Sequence, residues 1–404
     1  MKIAHLAAHL GGGVGKAHAA IRGVDPRAAD HTYLLLESPR DRRYCEAIEA
    51  SGANLMECPE PALMQRVLSE ADIIQVEFWN HPRLYEVLAK TSLPAGRYVF
   101  WCHISGLAPP LVAEGLIEAA NAFVFTSACS LRPGLRGNLS VIGSGFGFDN
   151  PRRRSANSDG KVVGGYLGTV DFVKMSPDFF AAVDAIDADN FEIRVYGACA
   201  ENAPPTLSHH AMRHPERVSM MGQTDDPAGA LSQLDFFFYP LARGHFGTAE
   251  NALVEAMSAG LAPLVLDNPA EMAIVSHGET GLVAADLGDL SQKLSEIIGD
   301  RRLRERLGDA AAKDAQRRFR PEVSRDAFAA LYARLAATPR ATPDFGSVLG
   351  RAPLDWYLGS FPDGSAKGLA PSKGSLTHFQ ACFPHDEGLN RYARAADELH
   401  RREE

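Results

Sequence analysis

Short apolar runs alternate with longer stretches of helical spacing from the first residues onward, the pattern of parallel βαβ units. In the first part of the chain this predicts strands over 2–9, 31–38, 72–79, 97–103, 122–127 and 139–143. These runs are nearly continuous in Val, Ile, Leu and Phe, as strands covered on both faces are. A second series follows over 161–168, 191–197, 217–222, 235–241, 261–267 and 281–285, then the helical stretches DLSQKLSEIIGD, RRLRERLGDAAAKDAQRRF and EVSRDAFAALYARLAA. Between the two series the sequence turns polar and basic, which marks a linker. The pattern therefore divides into a domain over 1–150, a linker over 151–160, a domain over 161–337, and an extension over 338–404. In the extension, helical spacing is confined to 376–383 and 389–400, and the role of this segment is not written in its pattern. The fold class is α/β, with two doubly wound Rossmann-like domains facing one inter-domain crevice, ligands being expected at the carboxyl ends of the strands.

Composition narrows the function. With 404 residues and 46% hydrophobic content the chain can bury more than one core. A net charge of −9 gives no electrostatic footprint for nucleic acid, and the Arg clusters at 39–43 and 151–154 read as solvated faces or linker. The six cysteines (Cys45, Cys58, Cys102, Cys129, Cys199, Cys382) form no C-x-x-C, and no His pair stands at metal-ligand spacing. They read as reduced thiols of a cytoplasmic protein, without a bound metal. No apolar run approaches the roughly 18 residues of a membrane span, although a peripheral membrane contact stays open. The N-terminus reads as a first strand and glycine loop rather than a leader.

Two loops have the chemistry to hold phosphate. LGGGVGKAHAAI (10–21) follows the first strand and opens a helix, so backbone N–H groups at Gly12 and Gly13 could cradle an anion. It matches neither the P-loop nor the G-x-G-x-x-G register, but Glu37 ends the second strand about 20 residues on, which keeps an NAD(P)-dependent oxidoreductase as a rival reading. The second loop follows the strand at 235–241: Gly244 and Gly247 allow close backbone approach, Thr248 is the expected N-cap, and a helix is expected over 249–258. Asn251 and Glu255, four apart, share the face away from the apolar stripe. A helix N-terminus for diphosphate with a carboxylate one turn deeper for a ribose diol suits a nucleotide, and an ordinary capped surface helix is the plainer alternative. The Asp-x-Asp pair, Asp187 and Asp189, precedes a strand and so does not form a cation site at a strand's carboxyl end.

Over the second domain, GYLGTVDFVKM, RVSMMGQTDDPAGALSQLDFFFYPL, GTAENALVEAMSAGLAPLV and DNPAEMAIVSHGETGLV, in this order and spacing, resemble the family-4 glycosyltransferases of the GT-B fold. The first domain resembles them more weakly, through its glycine loop, WCHISG and VFTSACSL. The resemblance implies a retaining transferase that moves a sugar from a nucleotide-sugar donor to a sugar, lipid-linked or small-molecule acceptor, with no cofactor and no protein-bound metal. It implies that Glu255 holds the ribose diol, that Lys174 meets the diphosphate, that His103 lies near the donor sugar, and that Glu271 and Gly12–Gly13 contact the donor. Two positions depart from the family pattern. The first signature Glu falls on Gly247, so Glu250, His245 or Asn251 takes its role; the Arg that usually pairs with Lys174 is Thr169. Losing that guanidinium removes a bidentate fork, and with the lost Glu it keeps a non-catalytic sugar-nucleotide-binding protein as an alternative.

Overall fold

The computed structural model describes residues 1–39, 41–145, 160–362 and 374–403. Two compact units are present: one of Met1–Gly145, Phe246–Ala249 and the described residues of Pro321–Glu404, the other of 160–245 and 250–320.

In the first unit seven parallel strands, β1 (Ile3–Ala7), β2 (His31–Leu35), β3 (Asn54–Glu57), β4 (Ile73–Phe78), β5 (Tyr98–Cys102), β6 (Ala122–Phe125) and β7 (Leu139–Val141), lie in the order β3-β2-β1-β4-β5-β6-β7. Six of them are the strands predicted from the apolar runs. The seventh, β3, is a short edge strand without a buried residue, so it lacks the continuous apolar run that marks the others. In the second unit β8 (Val162–Leu167), β9 (Phe191–Tyr196), β10 (Val218–Gly222), β11 (Phe236–Tyr239), β12 (Ala262–Leu266) and β13 (Leu282–Ala284) lie in the order β10-β9-β8-β11-β12-β13, again all parallel. The strand order reverses between β1 and β4 in one sheet and between β8 and β11 in the other. Those are the places where an open parallel sheet leaves a crevice at its carboxyl end.

The helix content of the second unit differs from the expected domain at its C-terminal end. The linker at 151–160 lies outside the described residues except for Gly160. The second unit ends at Arg320 rather than at 337, because the helix Pro321–Ala336 belongs to the first unit. Phe328 packs edge-on to Trp101, the Tyr332 hydroxyl donates to Gln75 Oε1, and Arg325 donates to the Val24 carbonyl. The extension is likewise core rather than appendage. Phe345, Trp356, Tyr357, Leu376, Phe379 and Leu389 are buried in one cluster with Leu84, Tyr85, Leu88 and Phe100 of the first unit.

Glycine is sterically required at Gly15, where a Cβ would stand 1.7 Å from the Leu10 carbonyl oxygen. At Gly12, the residue before the helix Gly13–Gly23, a Cβ would meet nothing within 4 Å. Packing therefore explains one glycine of this loop and not the other.

Candidate active site

At the switch point of the second sheet, the loop after β8 carries Lys174 and the loop after β11 carries His245 and Glu250. The Lys174 ammonium donates to both carboxylate oxygens of Glu250 at 2.7 Å, and the Tyr239 hydroxyl donates to Oε2 at 3.0 Å. His245 Nδ1 lies 3.7 Å from Glu250 Oε1. Its Nε2 lies 3.1 and 3.2 Å from the oxygens of Glu271, which also accepts from Asn268 Nδ2 at 3.0 Å. Glu250 is only 4% exposed. Burial alone would raise its pKa, but the Lys174 charge, aided by His245 and the hydrogen bonds from Lys174 and Tyr239, holds it below the ordinary carboxylate value.

The backbone at Glu250 adds a second constraint. Its φ of 37° lies in the left-handed region, one of two such non-glycine residues among those described. A residue there costs on the order of 1 kcal/mol or more and persists only when its surroundings over-determine it. Here the paired ammonium and the Tyr239 hydroxyl hold the side chain while the carbonyl accepts from Leu253 and Val254 N–H. This corrects the expected cap: the helix is Asn251–Ser258, Glu250 occupies the position before it, and no side chain caps it. Thr248 instead accepts from the Thr126 hydroxyl at 3.1 Å, and Phe246–Ala249, including Gly247, is part of the first unit.

The remaining expected residues fall in different places. Asn251 is half-buried and its Oδ1 has no hydrogen-bond partner. Glu255, expected on the outward face of its helix, is 3% exposed. Glu271 is fully buried, with both oxygens beside His245 Nε2. Thr169 is exposed, its carbonyl accepting from the Tyr166 hydroxyl.

His103 directly follows β5 in the first unit, where its Nε2 lies 3.2 Å from Glu77 Oε2. Burial pushes His103 down in pKa against the opposing pull of Glu77, which favours the neutral imidazole. Glu77 is itself fully buried on β4. Burial would raise it, but the neighbouring imidazoles, His18 foremost, hold it well below the ordinary value. An ionised Glu77 assigns the proton of His103 to Nε2 and leaves Nδ1 as the free acceptor. Sequence reasoning missed Glu77 and its partner His5, Nδ1 of which lies 2.9 Å from Oε1. The signal was available as polar residues inside otherwise apolar strands, His5 in IAHLA and Gln75 and Glu77 in IIQVEF.

Residues 148–314 match the family model described as Glycosyl transferases group 1. The capsular polysaccharide biosynthesis glycosyltransferase CapM of Staphylococcus aureus is 21% identical over 180 residues, which is 43% of this chain and 46% of CapM, so the match spans about half of that relative. Among solved structures, Anabaena HepE in complex with UDP and glucose superposes with a TM-score of 0.67 at 16% identity, over 83% of this chain and 100% of HepE. Sucrose-phosphate synthase from Thermosynechococcus elongatus gives 0.64 at 16% identity over the same shares. The fold is GT-B, with two Rossmann-like domains.

Proposed function

We propose that the protein is a retaining glycosyltransferase of family 4 that transfers a sugar from a nucleotide-sugar donor to an acceptor, in the cytoplasm and without a metal ion or cofactor at the reacting centre. The observation that carries this reading is the Lys174–Glu250–His245 cluster, lying within the segment that matches the group 1 glycosyl transferases. In the transition state, positive charge builds at the anomeric carbon and negative charge on the leaving diphosphate, so preorganised donors aimed at the phosphate supply most of the stabilisation. Lys174 is the donor for that role. Arriving phosphate competes with Glu250 for the ammonium, and Glu250 with His245 then offers hydrogen-bonding groups to the sugar. The unpartnered Oδ1 of Asn251 supports a ligand at the start of its helix. Because HepE holds UDP and glucose, uridine donors are the first to test.

The test is a thermal-shift panel of UDP, GDP and ADP, their sugar conjugates, and NAD and NADP, followed by donor turnover. A ligand that binds only the folded state stabilises it by about 2.7 kcal/mol at a hundredfold excess over Kd. A nucleoside diphosphate should raise the Tm and its sugar conjugate should raise it as much or further, while NAD and NADP do little. A shift with NAD alone would overturn the reading. Binding of a nucleotide sugar with no turnover on any acceptor would favour the non-catalytic alternative, which the Thr169 and Gly247 departures support.

Two variants sharpen the assignment. Glu255→Gln removes the proposed acceptor of the ribose diol and should weaken nucleotide binding by about 2 kcal/mol, measured by calorimetry. Unchanged affinity would dismiss Glu255 from the diol. Gly12→Ala adds a methyl that meets no protein atom within 4 Å, so its Tm should match the parent within about 0.5 kcal/mol equivalent, as for an unstrained surface change. Turnover should fall nonetheless if ligand approaches this backbone, and an unaltered kcat/KM would remove Gly12 from the site.

A further inference from the structure

Beneath the first sheet's switch point, the structure assembles a set of metal-ligating side chains that their sequence spacing conceals. His5 on β1, His18 on the helix Gly13–Gly23 and Glu77 on β4 are each 2% exposed or less. Their ligating atoms all lie within 4.8 Å of one another. Parallel pairing of β1 with β4 sets Ala7 opposite Glu77 and His5 opposite Gln75. Residues from distant stretches of sequence are thereby brought to one point.

We propose that His5 Nδ1, His18 Nε2 and a Glu77 carboxylate oxygen form a buried three-ligand site for a divalent transition-metal ion, zinc being the best fit. Three observations converge on it. The first is chemical: two imidazoles and a carboxylate are an N/O ligand set suited to zinc. His103 Nε2, 3.2 Å from Glu77 Oε2, carries a proton and supports the same carboxylate from outside the ligand set.

The second is the state of the outer nitrogens. A coordinating imidazole nitrogen must be unprotonated, so its other nitrogen must carry the proton and donate it. His5 Nε2 lies 2.8 Å from His31 Nδ1, and His18 Nδ1 lies 2.9 Å from the Tyr33 hydroxyl, so each has an acceptor in place. His31 is in turn held by Asp25, 3.5 Å from its Nε2.

The third is the inner nitrogen of His18. It is buried 2.9 Å from Glu77 Oε2, yet it has no hydrogen-bond partner. The two atoms are close but do not meet hydrogen-bond geometry, which leaves the nitrogen available to a ligand. Seating an ion beside His18 Nε2 and Glu77 Oε2, 2.9 Å apart, requires that pair to open by about 0.5 Å, to the spacing of a tetrahedral zinc shell with bonds near 2.1 Å. Because the ligands are enclosed, the ion enters as the unit folds and contributes to the unit's stability rather than to catalysis.

The experiment uses the untagged full-length protein, produced with zinc in the medium and dialysed against a chelator under native conditions. Metal analysis should find close to one zinc ion per chain, released only when the protein is denatured in chelator. X-ray absorption at the zinc edge should show a nitrogen and oxygen shell with imidazole scattering and no sulfur. His18→Gln and His5→Gln should each reduce the content to traces, while Cys45→Ala, a buried thiol outside the ligand set, keeps it. Wild-type protein that holds only traces, and whose Tm does not rise when it is refolded with Zn²⁺, overturns the site. So does zinc retained by both histidine variants.

Discussion

Replacing Lys174 with alanine should cost the protein about 3 kcal/mol of stability, because Glu250 then stays buried with its charge uncompensated. Lys174 is 18% exposed at the side chain and Glu250 only 2%, so the carboxylate has almost no recourse to water once its partner is gone. The double variant Lys174→Ala, Glu250→Gln should recover most of that loss, since it removes both charges together. Chemical denaturation of the four proteins of this cycle gives the coupling directly. Binding separates along another line: the affinity of a nucleoside diphosphate should fall roughly thirtyfold, about 2 kcal/mol for a charge-assisted hydrogen bond, while the bare nucleoside keeps its affinity. Equal losses for both ligands would make Lys174 a structural cation only.

The second large effect lies far along the chain, in the extension. Trp356 is 1% exposed, donates from Nε1 to the Gly350 carbonyl at 2.9 Å, and shares its core with Tyr85 and Phe383. Trp356→Ala should destabilise the first unit by about 4 kcal/mol through lost burial and an unfilled cavity. For a unit of this size that corresponds to a fall of about 10 °C in its Tm. Among the described residues, none of the second unit belongs to this cluster. Limited proteolysis near the lowered midpoint should therefore cut first within the first unit and leave 160–320 protected. Unchanged melting would show the extension to be a dispensable cover.

The doubly wound sheets were legible because strands buried on both faces must be apolar throughout, and the predicted runs coincide with all strands but the exposed edge β3. The ownership of the helix Pro321–Ala336 was not legible. Its apolar stripe announces a buried face but not which core receives it, and Phe328 and Tyr332 turn to the first. Lys174 and Glu250 were named from the sequence, whereas the pairing between them depends on a left-handed backbone at Glu250 that no residue type there would suggest. The cap at Thr248 failed for a related reason. A threonine before a helix is a good local cap, but the helix begins only at Asn251, behind the left-handed Glu250, and the Thr248 oxygen accepts from Thr126 instead. The Glu77 cluster escaped because its members are joined by strand order, which spacing along the chain does not record.

The first unit is assembled from three separate stretches of chain, the last beginning at Pro321, whereas the second lies almost entirely in one intervening stretch. This has a consequence for biosynthesis. A ribosome delivers the chain in order at roughly 5–20 residues per second, so the second unit has all its strands and helices in hand while the first still lacks Phe328, Tyr332, Trp356 and Phe379. Helix faces meant for those residues stay uncovered during that interval, with Leu84, Tyr85 and Leu88 among them. The N-terminal half of the protein is thus translated first and completed last, and its exposure to chaperones and proteases is governed by how promptly the C-terminal stretch emerges.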